Sequence, residues 1–232
     1  MVSSDKIPLL VGSGRLSRHI GFYLKNTYTP FLVWSRKSTL AFEKALQETD
    51  LVLLAISDDA LSPFYDEHLK DFKGQVVHFS GANSDSRMKS CHPLMSFTQE
   101  LLPETLYPQI AFAESEPGIF KQVFPQWKNP TFVIRAKDRA LYHACAVLMA
   151  SGTQSLWLKT LQQMNSLGVP HDAVVPYLNR ITLQFCKQSQ SAMTGPWVRG
   201  DKKTVEAHLK ALTKTDLLSL YQELMKGHYE NS

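Results

Sequence analysis

The rhythm of hydrophobic positions changes once along this chain of 232 residues. Through the first part, apolar residues come in short, nearly unbroken runs at 8–11, 30–34, 50–56, 75–79, 110–113 and 131–134, the pattern of strands covered on both faces. Between them lie segments with helical spacing at 17–25, at 38–48, from Ala60 onward and, briefly, near Phe120. From Asp138 the spacing becomes that of long helices, over 138–167, 170–191 and 202–228, with no further strand alternation. Gly168-Val169-Pro170 stops one helix and restarts the next, and Thr194-Gly195-Pro196 separates the second from the third. The predicted fold class is α/β: a mostly parallel sheet domain over 1–137, followed by an all-helical domain over 138–232.

The first apolar run feeds directly into Gly12, Ser13, Gly14, Arg15, Leu16 and Ser17, a G-x-G-x-x-S turn. In a Rossmann-type dinucleotide fold the first glycine permits the tight turn and the second lets the backbone approach a pyrophosphate at the helix N-terminus. Serine in the third place is small enough for close helix–strand packing. NAD-binding versions carry an acidic residue at the end of the second strand for the ribose 2′-hydroxyl. Here that place holds Ser35, Arg36 and Lys37. A hydroxyl and two cations suit a 2′-phosphate, so the expected cofactor is NADP(H). The competing reading of Arg36 and Lys37 is a solvated turn. A basic turn that holds only a nucleotide monophosphate is a further alternative.

A net charge of +4 from scattered Lys and Arg indicates neither nucleic-acid nor membrane-surface binding. No apolar run approaches the roughly 18 residues of a membrane span, and no signal peptide is evident. Three cysteines without C-x-x-C spacing argue against a disulfide framework and for a reducing, cytoplasmic setting. No spacing of His, Cys and Asp matches a metal site.

Ligands of open α/β sheets lie outside the carboxyl ends of the strands. The turn Ile56, Ser57 and Asp58 is therefore an expected neighbour of the nicotinamide half of the cofactor, although Asp58 and Asp59 fit helix capping as well. His92 is the first candidate for proton transfer, because imidazole titrates near neutrality. His78 is the second, with a hydrogen-bonded structural role as its alternative. Ser80 would bind substrate or position a histidine, or serve only as a turn residue. Arg199 is the expected carboxylate clamp, against a structural pair with Asp201. Apolar positions of the helical domain, including Trp157, Tyr177 and Phe185, need more cover than a small bundle provides, which predicts a homodimer through that domain.

Thr194-Gly195-Pro196-Trp197-Val198-Arg199-Gly200-Asp201, followed by His208-Leu209, resembles the Thr-Gly-Pro-x-x-Arg-Gly-Asp signature of a Rossmann-like family whose helical C-terminal part is known only as a domain of unknown function. His78-Phe79-Ser80-Gly81-Ala82 and His92-Pro93-Leu94 resemble two further motifs of that family, in the same order. The family is similar to pyrroline-carboxylate reductases, ketopantoate reductases and 6-phosphogluconate-type dehydrogenases. The resemblance implies NADP binding and oxidoreductase activity and supplies no substrate. The leading expectation is hydride transfer to or from a small, carboxylate-bearing carbonyl or imine compound held between the two domains, a substrate clause that rests on Arg199 and on the relatives. Two departures stand out: Ile56-Ser57-Asp58 in place of Val-Pro-Asp, and Ala150-Ser151-Gly152-Thr153 in place of an Ala-Ser-Asn stretch. Thr153 or Gln154 would then substitute as the polar group facing substrate. The second departure also favours the alternative of a non-catalytic NADP(H) sensor.

Overall fold

Leu9–Val11 (β1) is buried along its whole length and lies at the centre of one half of a seven-stranded sheet. The computed structural model describes residues 7–229. Residues 1–6 and 230–232, the outer ends of the two expected domains, lie outside the described residues. The remaining strands are Leu32–Trp34 (β2), Leu51–Leu54 (β3), Gln75–His78 (β4), Lys89–Pro93 (β5), Phe112–Glu114 (β6) and Thr131–Val133 (β7). Their order is β2-β1-β3-β4-β5-β6-β7. All neighbours pair in parallel except β5 and β6.

Alternation along each strand divides the apolar side chains between two faces. Leu10, Leu53 and Val77 pack with Arg15–Asn26 (α1) and Ile119–Val123 (α4), while Leu9, Val11, Val52 and Leu54 pack with Phe42–Gln47 (α2) and Leu61 of Asp58–Phe64 (α3). The first face ends in an aromatic stack in which Trp127 lies against Tyr23 and Phe124, with ring centroids 3.8 and 4.1 Å apart. Asn129 ties this stack to the 3-10 turn before β6: its amide donates to the carbonyls of Tyr107 and Ile110 and its oxygen accepts from the Tyr23 hydroxyl.

β5 was not expected from the sequence, which reads the segment before His92 as a polar loop. Its Lys-Ser-Cys-His-Pro sequence has little apolar alternation, and pairing with β4 and β6 on its two sides makes it a strand. The reversal between β5 and β6 has a directional result. Cys91 faces Glu114, Glu114 faces Val133, and Ser90 faces His78, so β7 delivers the chain back to the carboxyl end of β4.

There the chain enters Arg139–Val147 (α5). The expected single helix over 138–167 is interrupted by a π turn, Leu148–Gly152, before Thr153–Ser166 (α6). Its backbone remains helical, so the apolar spacing carries no mark of the break. The first compact unit runs to Ala150 and the second begins at Ser151. Helical character thus starts at Asp138, whereas α5 belongs to the unit that holds the sheet.

The second unit consists of α6, His171–Gln188 (α7), the short Pro196–Arg199 (α8), Lys202–Leu212 (α9) and Leu218–Tyr229 (α10). The expected helix over 202–228 is two helices. Thr213 and Thr215 turn their hydroxyls onto the Lys210 and Leu212 carbonyls, and the Leu217 N–H donates to Thr215 Oγ1, which ends α9 and restarts the chain. Lys159 of α6 pairs with Asp216 beside that turn. The Trp197 indole N–H donates to the Tyr221 hydroxyl at 2.8 Å, and His208 Nδ1 lies 2.8 Å from the same oxygen. Trp197 and His208 therefore join α8 and α9 to α10. Leu158, Leu167, Tyr177, Leu183 and Phe185 are exposed on this unit.

Candidate functional site

Gly12 leaves β1 at φ +136°, and a Cβ placed there would lie 2.3 Å from the Ala55 carbonyl oxygen. Only glycine fits, because the obstacle is the backbone of the neighbouring strand end. Ser17, in the third position of the turn, donates its hydroxyl to the Gly12 carbonyl at 2.9 Å and so ties α1 to the turn. Gly14 is different: a Cβ there would meet nothing within 4 Å. It is the N-cap of α1, with no side-chain cap and no acidic residue in the first turn. With the space beside Gly14 open and no acidic side chain in the first turn, the dipole of α1 favours an anion at this end of the helix. These features fit the pyrophosphate of a dinucleotide.

A cleft of about 410 Å³ runs from Gly12 and Ser13 past Ser17 and Arg18 to Ser35, Phe31 and Val33. The turn after β2 closes through the Ser38 N–H to the Ser35 carbonyl at 2.8 Å and the Ser35 N–H to Ser38 Oγ at 2.9 Å. Arg36 and Lys37 are exposed on it, and neither makes an ion pair among the described residues. Another cleft, of about 420 Å³, is lined by Phe42, Gln47, His68 and Lys73. Gln47 and Lys73 precede β3 and β4, so it opens at the amino edge of the sheet, away from the glycine turn.

The second half of the site gathers at the end of β4. A Cβ on Gly81 would fall 2.4 Å from His143 Cδ2 and 3.0 Å from His92 Nε2, so the glycine lets two imidazoles close against the backbone. His92 comes from β5, and Tyr142 and His143 from α5. His92 Nδ1 and the Tyr142 hydroxyl share a hydrogen bond of 2.8 Å. Arg139, one helical turn earlier on the same face, is 1% exposed. Its Nη2 donates to the Ser80 carbonyl at 2.8 Å and to Ser90 Oγ at 2.5 Å. Nε and Nη1 find no acceptor among the described residues. With no carboxylate in ion-pair contact, this buried arginine places a positive charge that acts on both His78 and His92.

That charge and burial change the chemistry expected of the histidines. His92 does not titrate near neutrality: burial first, then His143, Arg139 and His78, push it down to about 3. It is a neutral imidazole at physiological pH. When the Tyr142 phenol donates to Nδ1, Nε2–H remains as a donor on the Gly81 side, and a neutral imidazole can polarise a carbonyl in that way. His78 is 1% exposed, and its Nδ1 accepts the Ser80 N–H at 3.1 Å, which fits the structural role. Burial and Arg139 lower it to about 4. Ser80 Oγ accepts from the Ala82 and Asn83 N–H groups, which is turn chemistry.

At the carboxyl end of β3, Ile56 is half-buried and Ser57 and Asp58 are exposed. Ser57 is the N-cap of α3 without a side-chain cap bond; Asp58 and Asp59 sit in its first turn, where their charge suits the helix dipole, and neither caps it. Asp58 also acts electrostatically on Arg139. Thr153 and Gln154 open α6 in the second unit. Arg199 is exposed, and its Nε and Nη2 both donate to Asp201 Oδ2, at 3.0 and 2.7 Å. Among the described residues, no group of three or more His, Cys, Asp or Glu is placed to hold a metal. No described helix is long and apolar enough to cross a membrane. Cys91 is buried, and burial pushes its thiol well above the ordinary range, while Cys145 and Cys186 are exposed.

Sequence reasoning missed Arg139, Tyr142 and His143. Their i, i+3 and i+4 spacing was a usable signal, since it puts all three on one helix face.

The parallel strands, the glycine turn and the helix after it define a Rossmann-like dinucleotide fold with a helical C-terminal part. Residues 111–227, from β6 to α10, match the family described as Domain of unknown function (DUF2520), and the chain belongs to that family. No curated protein matches it. Among solved structures, a protein from Bacteroides fragilis described as an NADP oxidoreductase is similar with a TM-score of 0.76 and 16% identity, over 98% of this chain and 100% of that one. The Thermotoga maritima protein TM1727 gives 0.76 and 23%, over 97% of each chain. An imine reductase from Streptomyces aurantiacus gives 0.68 and 12%, over 97% and 94%.

Proposed function

We propose that this protein is an NADP(H)-dependent oxidoreductase that transfers hydride to or from a small carbonyl or imine carbon. The observation that carries the reading is the His92–Tyr142 pair beside Gly81, at the same sheet edge as the open Gly12–Gly14 turn. The activities named for the Bacteroides fragilis and Streptomyces aurantiacus proteins support it. NADPH, when bound, supplies the hydride. Gly12, Ser13, Gly14 and the first amides of α1 would hold its pyrophosphate, and the acid-free turn at Ser35, Arg36 and Lys37 would favour its 2′-phosphate. His92 Nε2–H would polarise the reacting oxygen or nitrogen, and Tyr142 would hold the imidazole in that tautomer.

Fluorescence titration with NADPH and NADH tests the cofactor clause: NADPH is expected to bind at least about tenfold more tightly, and binding of neither would overturn the reading. His92→Ala is expected to retain NADPH affinity while losing turnover in a screen of cyclic imines and 2-keto acids. A wild-type protein that binds NADPH and reduces nothing would favour the sensor, a reading motivated by Ala150-Ser151-Gly152-Thr153. We further propose a homodimer formed through the helical unit, motivated by the exposed Leu158, Tyr177, Leu183 and Phe185. Sedimentation equilibrium checks it, with twice the chain mass expected.

A further inference from the structure

Arg18 stands on α1 immediately after Ser17, and the Ser17 hydroxyl fixes that turn of helix against the Gly12 carbonyl. It lines the cleft that also holds Gly12, Ser13 and Ser35, whereas Arg36 and Lys37 do not line it. No acidic residue lines this cleft, and its other cation, Lys25, lies seven residues further along α1, about 10 Å down the helix. Arg18 is exposed, and its side chain makes no hydrogen bond or ion pair among the described residues, so its five guanidinium N–H donors are available. Phe22 and Phe31 lie in the same cleft and offer apolar surface to the arginine stem.

We propose that Arg18 is a cofactor-specificity residue: it holds the ribose 2′-phosphate of NADP(H) together with Ser35, across the cleft between α1 and the turn after β2. This inference rests on the proposed NADP(H) reading. A phosphate monoester placed beside Ser35 meets one guanidinium inside the cleft, and the planar fork of arginine suits two phosphate oxygens at once. The exposed Arg36 and Lys37 add longer-range attraction that salt screens.

The test compares wild type, Arg18→Gln, Arg18→Lys and Arg36→Gln in titrations with NADPH, NADH, 2′,5′-ADP and 5′-AMP, with thermal melts as the folding control. Loss of one charge-assisted contact predicts about 10- to 100-fold weaker NADPH and 2′,5′-ADP binding in Arg18→Gln. NADH and 5′-AMP are expected to change less than about twofold, because they lack the phosphate that Arg18 would hold. Arg18→Lys should recover part of the loss, and Arg36→Gln should lose less than Arg18→Gln. Unchanged NADPH discrimination in Arg18→Gln overturns the inference and leaves the NADP(H) reading intact. Equal weakening of NADPH and NADH overturns it as well, since Arg18 would then act on the part that both cofactors share. A wild type that binds none of the four ligands removes both readings together.

Discussion

Gly12→Ala is expected to destabilise the first unit by about 4 kcal/mol and to abolish NADPH binding. Two independent costs meet at this position. The φ of +136° is one that an L side chain rarely adopts, and the added methyl would sit 2.3 Å from the Ala55 oxygen, a backbone atom that cannot rotate away. Relief would require β1 and the end of β3 to separate, which breaks the Ala55 N–H bond to the Val11 carbonyl. Gly14→Ala is the matched control. Its backbone, at φ −81° and ψ −176°, suits alanine, and the methyl has free space, so the melting temperature should hold. NADPH affinity should still fall, because the methyl would occupy the approach to the α1 amides. Equal melting temperatures for Gly12→Ala and wild type would refute the steric account; full NADPH affinity in Gly14→Ala would move the pyrophosphate elsewhere.

The second large effect is a loss of stability in acid that has its origin in the histidines. His78 drops from 6.5 to about 4 and His92 from 6.5 to about 3 on folding. Between those values and 6.5 the unfolded chain binds more protons than the folded one, so stability rises with pH across that window. It is full above about pH 6.5, falls as the pH drops toward 4 and then 3, and levels off below. At about 1.4 kcal/mol per pH unit, His78 alone accounts for on the order of 3 kcal/mol. His92, which is largely buried, adds to the loss in the same direction and over a range that reaches lower in pH. Urea unfolding at pH 7, 6, 5 and 4 measures this directly, and a flat profile between 7 and 4.5 would rule it out. Arg139→Met removes the positive charge that depresses both imidazoles, so their NMR titration midpoints should move up and the slope should flatten.

The strands with dense apolar runs were legible because burial on both faces demands them: Leu9–Val11, Leu51–Leu54 and Gln75–His78 each lie within the run read from the sequence. The glycine turn was legible because Gly12 answers to a backbone constraint. Lys89–Pro93 was not, since its pairing comes from neighbours distant in the chain. The π turn at Leu148–Gly152 left the helical composition unbroken, and nothing in the spacing marked it. For the site, His92 was visible as a residue but its chemistry was not. Its neutrality comes first from burial and then from His143 and Arg139, which arrive from α5, a helix whose composition resembles the helical part more than the sheet.

The three cysteines divide in a useful way. Cys91 is sealed in the sheet as a protonated thiol, whereas Cys145 and Cys186 are accessible, the first in the unit ending at Ala150 and the second in the unit beginning at Ser151. The natural sequence therefore already carries one attachment point for a spin label or fluorophore on each unit. Distances between such labels, with and without NADPH, can follow how the two units are arranged in solution without a single engineered residue.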